Sequence, residues 1–173
     1  LYTYRVQTAN LSGGNGDDRI ENDRSDNTII SGGNGNDDIN IYNGGQAQIN
    51  AGTGNDTVKL RELQTAEINS GDGDDRIIAS RIYKSVSITT GNGSDTIVLT
   101  KQQLDYKAIE VTDFTAGENG DILDLSDLLT NAAIDYDGSN PFKSGHLSLK
   151  QVGNDTHLIF DRDGANGNES EQE

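Results

Sequence analysis

The 173-residue chain has no cysteine, methionine or tryptophan and only one proline. Without cysteine there is neither a disulfide nor thiol chemistry. Basic side chains are scarce: 13 lysines and arginines stand against 29 aspartates and glutamates, a formal charge of -16. A nucleic-acid binder needs a basic face, so that class is excluded, and attachment to anionic lipid, which needs basic clusters, is disfavoured. No apolar run approaches the length of a membrane span, and none reads as a signal-peptide core. Hydrophobic residues are 31% of the chain and aromatics 5%. Such a composition with high net charge is the usual mark of disorder. The 21 glycines argue against that reading, because they fall in order. An acidic chain with a thin core and ordered glycines needs another source of folding energy, and a bound cation is the obvious one.

One segment recurs five times. It reads Gly13-Gly14-Asn15-Gly16-Asp17-Asp18, then Gly32-Gly33-Asn34-Gly35-Asn36-Asp37, then Ala51-Gly52-Thr53-Gly54-Asn55-Asp56. The last two copies are Ser70-Gly71-Asp72-Gly73-Asp74-Asp75 and Thr90-Gly91-Asn92-Gly93-Ser94-Asp95. The anchors Gly14, Gly33, Gly52, Gly71 and Gly91 are 19, 19, 19 and 20 residues apart, and the five loops hold 12 of the 21 glycines. Three residues before each anchor stand Leu11, Ile30, Ile49, Ile68 and Ile88, and five before stand Ala9, Thr28, Ala47, Ala66 and Val86. Polar residues mostly lie between them, which is strand alternation. After each loop come Ile20, Ile39, Val58, Ile77 and Ile97, with Ile41, Leu60, Ala79 and Leu99 two further on; Asn22 breaks that row.

A 19-residue unit of two short strands and two turns cannot bury its own apolar face, but stacked units can. The predicted fold is all-β: a right-handed parallel β-solenoid of about five coils over residues 1–100. Residues 101–173 are predicted to form a β-rich cap with a short helix. Ala108–Val111 and Ile122–Leu125 read as strands, Ser126 to Leu129 as a capped helical turn, and His146–Val152 with Thr156–Phe160 as a hairpin through Gly153-Asn154.

In-register stacking puts Asp18, Asp37, Asp56, Asp75 and Asp95 in one column, about 5 Å apart. Each like-charge pair then costs roughly 3 kcal/mol at an effective dielectric near 20. A divalent ion between successive carboxylates turns that repulsion into attraction. Alternate loop carbonyls from both coils add oxygens to about six, which suits Ca²⁺ better than Mg²⁺. The glycines allow the tight turn and the close backbone approach. The expected ligand set therefore includes the loop residues Gly13, Gly14, Asn15, Gly16, Gly32, Gly33, Asn34 and Gly35. It continues with Ala51, Gly52, Thr53, Gly54, Ser70, Gly71, Asp72, Gly73, Thr90, Gly91, Asn92 and Gly93. Four sites are expected between five loops. The alternative is plain Asn/Asp-Gly turns in a metal-free solenoid, but such turns would let the aspartate position vary, and here it does not.

These loops resemble the nonapeptide G-G-x-G-x-D-x-U-x of RTX proteins, U being a large apolar residue. Two copies match fully and three lack only the first glycine. The resemblance implies a calcium-loaded solenoid in an extracellular or cell-surface bacterial protein exported by type I secretion, with the secretion machinery as its partner during export. Here one nonapeptide alternates with a ten-residue spacer, so calcium is expected along one edge only. That arrangement is similar to the solenoids of very large RTX adhesins, where the chain would be a monomeric module. Val111 to Phe114, with Gly117, Gly120-Asp121 and Leu123 to Ser126, resembles the C-terminal target region of such proteins. The chain is then expected to be cut from a longer protein.

Residues 1–100 carry a net -6 and residues 101–173 a net -10. Four calcium ions would nearly neutralise the first part, and the surplus directs attention to the second. Asp113, Asp121 and Asp124 are candidates to continue the row. Asp161 and Asp163 are a weaker pair, because Ala165 occupies the third ligand position of an EF-hand-like turn. No catalytic constellation is present: the two histidines, His146 and His157, are not opposed in the predicted hairpin, and no nucleophile motif occurs. The chain reads as a non-enzymatic, calcium-dependent folding module. The alternatives are the C-terminal domain of an RTX exoenzyme and an ice-binding solenoid. The latter needs a regular Thr/Asn array, which the acids Asp17, Asp72 and Asp74 interrupt.

Overall fold

A computed structural model of the chain describes residues 1–166; the polar tail Asn168 to Glu173 lies outside them. The chain is a parallel β-solenoid of about six turns with little helix. It divides into two compact units, Leu1–Asp124 and the part from Leu125 onward.

In the first unit the strands are β1 (Tyr2–Tyr4), β2 (Thr8–Asn15), β3 (Arg19–Asp23), β4 (Asn27–Asn34), β5 (Asp38–Thr53), β6 (Thr57–Asp72), β7 (Arg76–Asn92), β8 (Thr96–Leu99), β9 (Ile109–Val111) and β10 (Ile122–Asp124). All pair in parallel, one coil apart. Ile30 lies opposite Ile49, Ile49 opposite Ile68 and Ile68 opposite Ile88. Side chains at alternate positions point inward, so the predicted rows become the core. Ile20, Ile39, Val58, Ile77 and Ile97 are fully or almost fully buried, as are Ile41, Leu60 and Ala79. The out-of-pattern Asn22 is also buried, with its polar atoms satisfied. It donates to Thr3 and Ser25, and it accepts from the Thr28 hydroxyl at 3.0 Å. The first coils thus carry a small polar core where later coils carry Leu and Ile.

The two edges of the coil turn by different means. On the loop edge, Gly33 has φ +119°, and a Cβ there would strike the carbonyl of Gly14 in the coil before. On the other edge Arg5, Arg24, Asn43, Glu62 and Arg81 hold φ between +51° and +62°. This second 19-residue series is invisible in composition, because no glycine marks it. After the corners at Arg24, Glu62 and Arg81 the next residue is buried: Ser25, Leu63 and Ile82. Gly44 leaves room there for Leu63, whose Cδ2 would lie 2.8 Å from a Cβ on Gly44.

The repeat in sequence ends near residue 100, but the sheet does not. β9 adds to β7 and β10 adds to β8, so residues up to Asp124 complete a further coil. The physical reason is that Ile109, Val111 and Leu123 keep the inward alternation after the loop motif has gone, and all three pack against the core. Ahead of them, between β8 and β9, Gln103 stands at the missing corner. Its buried amide accepts from Ile82 N–H at 3.0 Å and donates to the carbonyl of Lys107 at 2.8 Å, as a neighbouring peptide would.

The second unit holds helix α1 (Ser126–Asn131) and the antiparallel hairpin of β11 (Leu147–Val152) and β12 (Asp155–Phe160). The helix begins at Ser126 with Leu125 in the cap position, one residue earlier than a Ser126 cap would require. Lys150 faces His157 in the hairpin register. His146 is buried; its ring lies 2.8 Å from Ser144 Oγ through Nδ1 and 3.0 Å from the Ile134 carbonyl through Nε2. Both ring nitrogens are therefore used in packing.

Gly14 and Gly33 separate strain from collision. Both have positive φ, but a Cβ on Gly14 meets nothing within 4 Å. Gly14→Ala is expected to cost only the backbone strain, about 1–2 kcal/mol. Gly33→Ala should cost about 1–3 kcal/mol more from inter-coil overpacking, read as the difference in thermal unfolding midpoints. Equal losses in the two variants would refute the close-approach argument.

Candidate metal column

Each aspartate of the predicted column follows a glycine loop and precedes an inward strand residue, so it is carried to the interior of the loop edge. Asp37, Asp56, Asp75 and Asp95 are between 0% and 2% exposed. Asp18, in the first loop, is half-buried. The column is bound together by its own backbone. The N–H of Asp18 donates to Oδ1 of Asp37 at 2.8 Å, that of Asp37 to Asp56 at 2.7 Å, that of Asp56 to Asp75 at 2.8 Å, and that of Asp75 to Asp95 at 2.8 Å.

The other oxygen is different. Oδ2 of Asp37, Asp56, Asp75 and Asp95 is buried and has no hydrogen-bond partner. A buried carboxylate oxygen without a donor is costly. Burial, with the neighbouring aspartate adding repulsion, pushes the carboxyls of Asp56, Asp75 and Asp95 up to about 6.

The space beside these oxygens is framed by the first residue of each loop. A Cβ on Gly13 would lie 2.7 Å from Asp18 Oδ2 and 2.5 Å from the carbonyl oxygen of Gly32. A Cβ on Gly32 would meet Asp37 Oδ2 and the carbonyl oxygen of Ala51. A free carboxylate oxygen and the next coil's first loop carbonyl thus face one gap. In the later copies the position is Ala51, Ser70 and Thr90, where a side chain occupies that place, and the Ser70 hydroxyl donates to the carbonyl of Thr90 at 2.9 Å. Third-position carbonyls are partly engaged: those of Asn34, Thr53, Asp72 and Asn92 accept from Gly16, Gly35, Gly54 and Gly73 at 2.7–2.8 Å. Each keeps a second lone pair. Hard, all-oxygen donors supplied by two coils fit calcium chemistry. The carboxylates run in file, one per coil, and among the described residues no group of three or more acidic or histidine side chains gathers at one point.

The other candidates fall in different surroundings. Asp121 joins the column, its Oδ1 accepting from Asp95 N–H at 3.1 Å. Asp113 accepts from the amides of Thr90 and Gly91 at 2.8 and 2.9 Å. Burial opposes charge on Asp113, but these donors outweigh it and hold its carboxyl below the ordinary value. Asp124 is on the outer face, 3.4 Å from Arg76. Asp161 and Asp163 belong to the second unit, in a turn where the Asp163 amide lies 3.3 Å from Asp161 Oδ1.

A second ladder was not foreseen from the sequence. The fifth loop position makes a similar ladder on the exposed side, with its bonds running the opposite way along the axis. Asp17, Asn36, Asn55 and Asp74 accept, through Oδ1, from the backbone N–H of Asn36, Asn55, Asp74 and Ser94 at 2.7–3.0 Å. The signal was available, since four of the five residues are Asp or Asn at constant spacing. The third-position residues also link along the axis, Asn34 to Asn15 at 2.7 Å and Thr53 to Asn34 at 3.0 Å. Comparison of the chain with protein-family models, curated proteins and solved structures finds no match.

The raised carboxyls set a pH dependence. Asp56, Asp75 and Asp95 hold their protons more tightly folded, at about 6, than at the ordinary 3.8. Their stabilising share is therefore complete below about pH 4 and is lost as pH rises through 6. In chelator the wild type should lose its β signal as pH rises from 4.5 to 7, and Asp75→Asn should flatten that pH dependence. An unchanged pH slope in that variant would contradict the assignment.

Proposed function

We propose that the chain is a calcium-binding, calcium-dependent folding module of a type I secreted RTX protein, serving as part of a bacterial surface adhesin outside the cell. The observation that carries this reading is the file of four buried aspartate oxygens without donors. A file of carboxylates at strand spacing is self-repelling, and the protein supplies only one donor per rung. Calcium, when bound, supplies the missing positive charge and an acceptor for lone pairs from both coils.

The residues divide the work. Asp37, Asp56, Asp75 and Asp95 offer Oδ2, while their Oδ1 atoms lock the coils in register through the backbone. The loop glycines admit the backbone of one coil against the next, and the carbonyls of Gly32 and Ala51 stand beside Oδ2 of Asp18 and Asp37. The isoleucine rows keep water from the inner side of the column.

The magnitudes make such a module conditional on the cation. One ion at a hundredfold its dissociation constant adds about 2.7 kcal/mol, so four add about 11 kcal/mol, which equals a domain's ordinary total stability. In a calcium-poor cytoplasm the chain would stay unfolded and fit for export. Outside, it would fold. No part of this requires a catalytic residue.

Circular dichroism in excess EGTA should show loss of the β signal, with recovery on adding calcium. Asp75→Asn should raise the calcium midpoint by about tenfold, since one rung then lacks a charged oxygen. A β signal unchanged by EGTA would falsify the proposal.

A further inference from the structure

The geometry points to Asp113 and Asp121 as a protein-built terminator of the cation file, so that no ion is held in it beyond Asp95. This inference rests on the calcium reading above.

The argument is a count of donors. From Asp37 to Asp95 every rung has the same form: Oδ1 receives one backbone N–H, and Oδ2 receives nothing. Asp121 keeps the first half of that form, accepting from Asp95 N–H. The second half changes. Its Oδ2 accepts from Thr115 N–H at 2.7 Å, with the Thr90 hydroxyl 3.4 Å away. The chain folds back to make this donor available, since the amide of Asp121 in turn donates to the carbonyl of Thr115 at 2.7 Å. Asp121 is only 9% exposed, so these protein donors take the place of solvent.

Asp113 closes the other side of the same coil. Its Oδ1 accepts from the Thr90 amide at 2.8 Å and lies 3.0 Å from the Thr90 hydroxyl; its Oδ2 accepts from the Gly91 amide at 2.9 Å. These amides open the fifth loop and have no strand beyond them to pair with. A carboxylate with donors on both oxygens has no need of a cation, and the charge-assisted bonds are the strong kind. Ser94 Oγ donates to the carbonyl of Gly120 at 2.7 Å and seals the loop from outside.

Sequence position alone makes Asp113 and Asp121 look like further ligands. Their surroundings make them substitutes for the ligand's partner: N–H groups stand beside both oxygens, where the earlier rungs leave Oδ2 without a donor.

The test uses the whole chain with calcium. Native mass spectrometry should give the same ion count for the wild type, Asp113→Asn and Asp121→Asn, while Asp75→Asn loses at least one. Asp161→Asn serves as the control for a separate ion in the second unit. An ion lost in Asp113→Asn or Asp121→Asn overturns the inference and leaves the calcium reading standing. No bound ion in the wild type overturns the calcium reading itself, and the inference with it. Should a variant fail to fold, diffraction from the calcium-loaded wild type decides. Metal density is expected beside Asp37 to Asp95 and none bonded to Asp113 or Asp121, and an ion bonded to either overturns the inference.

Discussion

Everything in the first unit follows from one constraint: each residue sits on its own copy, one strand spacing away along the axis. For apolar residues this is favourable, since isoleucine on isoleucine packs without polar cost. For glycine at the loop edge it is a requirement, because the previous coil's carbonyl occupies the place of a side chain. For aspartate it is a cost of roughly 3 kcal/mol per stacked pair. The fold repays part of that cost by aiming a backbone N–H at one oxygen of each carboxylate. The remaining oxygen is where the chemistry of the molecule concentrates.

The two edges of the coil have accordingly separated their tasks. The loop edge carries the glycines, the buried carboxylates and the exposed Asp/Asn ladder. The opposite edge turns on single left-handed residues of unrelated chemistry, from Arg24 to Glu62. The outer face beside it carries ion pairs such as Arg19 with Asp38 at 3.2 Å and Lys59 with Asp38 at 3.1 Å. Exposed pairs of this kind contribute little to stability. They do prevent like charges from facing each other along a column.

The sixth coil shows how a repeat is brought to an end. Gln103 copies a peptide group at the corner, and Asp113 and Asp121 collect the amides that have no further strand. Each device is one side chain with the right donors and acceptors, set in a segment with no repeat motif. The solenoid therefore reaches Asp124, past the boundary that the loop motif suggests. In the second unit Leu128, Leu147, Ile159, Phe160 and His146 are buried.

The repeat period, the inward rows, the glycine loops and the aspartate column were all legible in the residues alone. Periodicity is a property of the chain, and stacking merely copies it along an axis. Three features were not legible. The second corner has no residue signature, because residues as different as Arg24, Asn43 and Glu62, all unbranched at Cβ, hold the left-handed turn there. Asn22 reads as a flaw until Thr3, Ser25 and Thr28 are seen to satisfy it. Asp113, Asp121 and Asp124 are indistinguishable as acids in a list of residues, yet one meets two amides, one takes a rung of the column and one faces Arg76. Composition determines that negative charge must be stacked and offset; only the tertiary structure decides which carboxylate oxygens already have a hydrogen-bond donor, because a donor's direction belongs to the folded backbone.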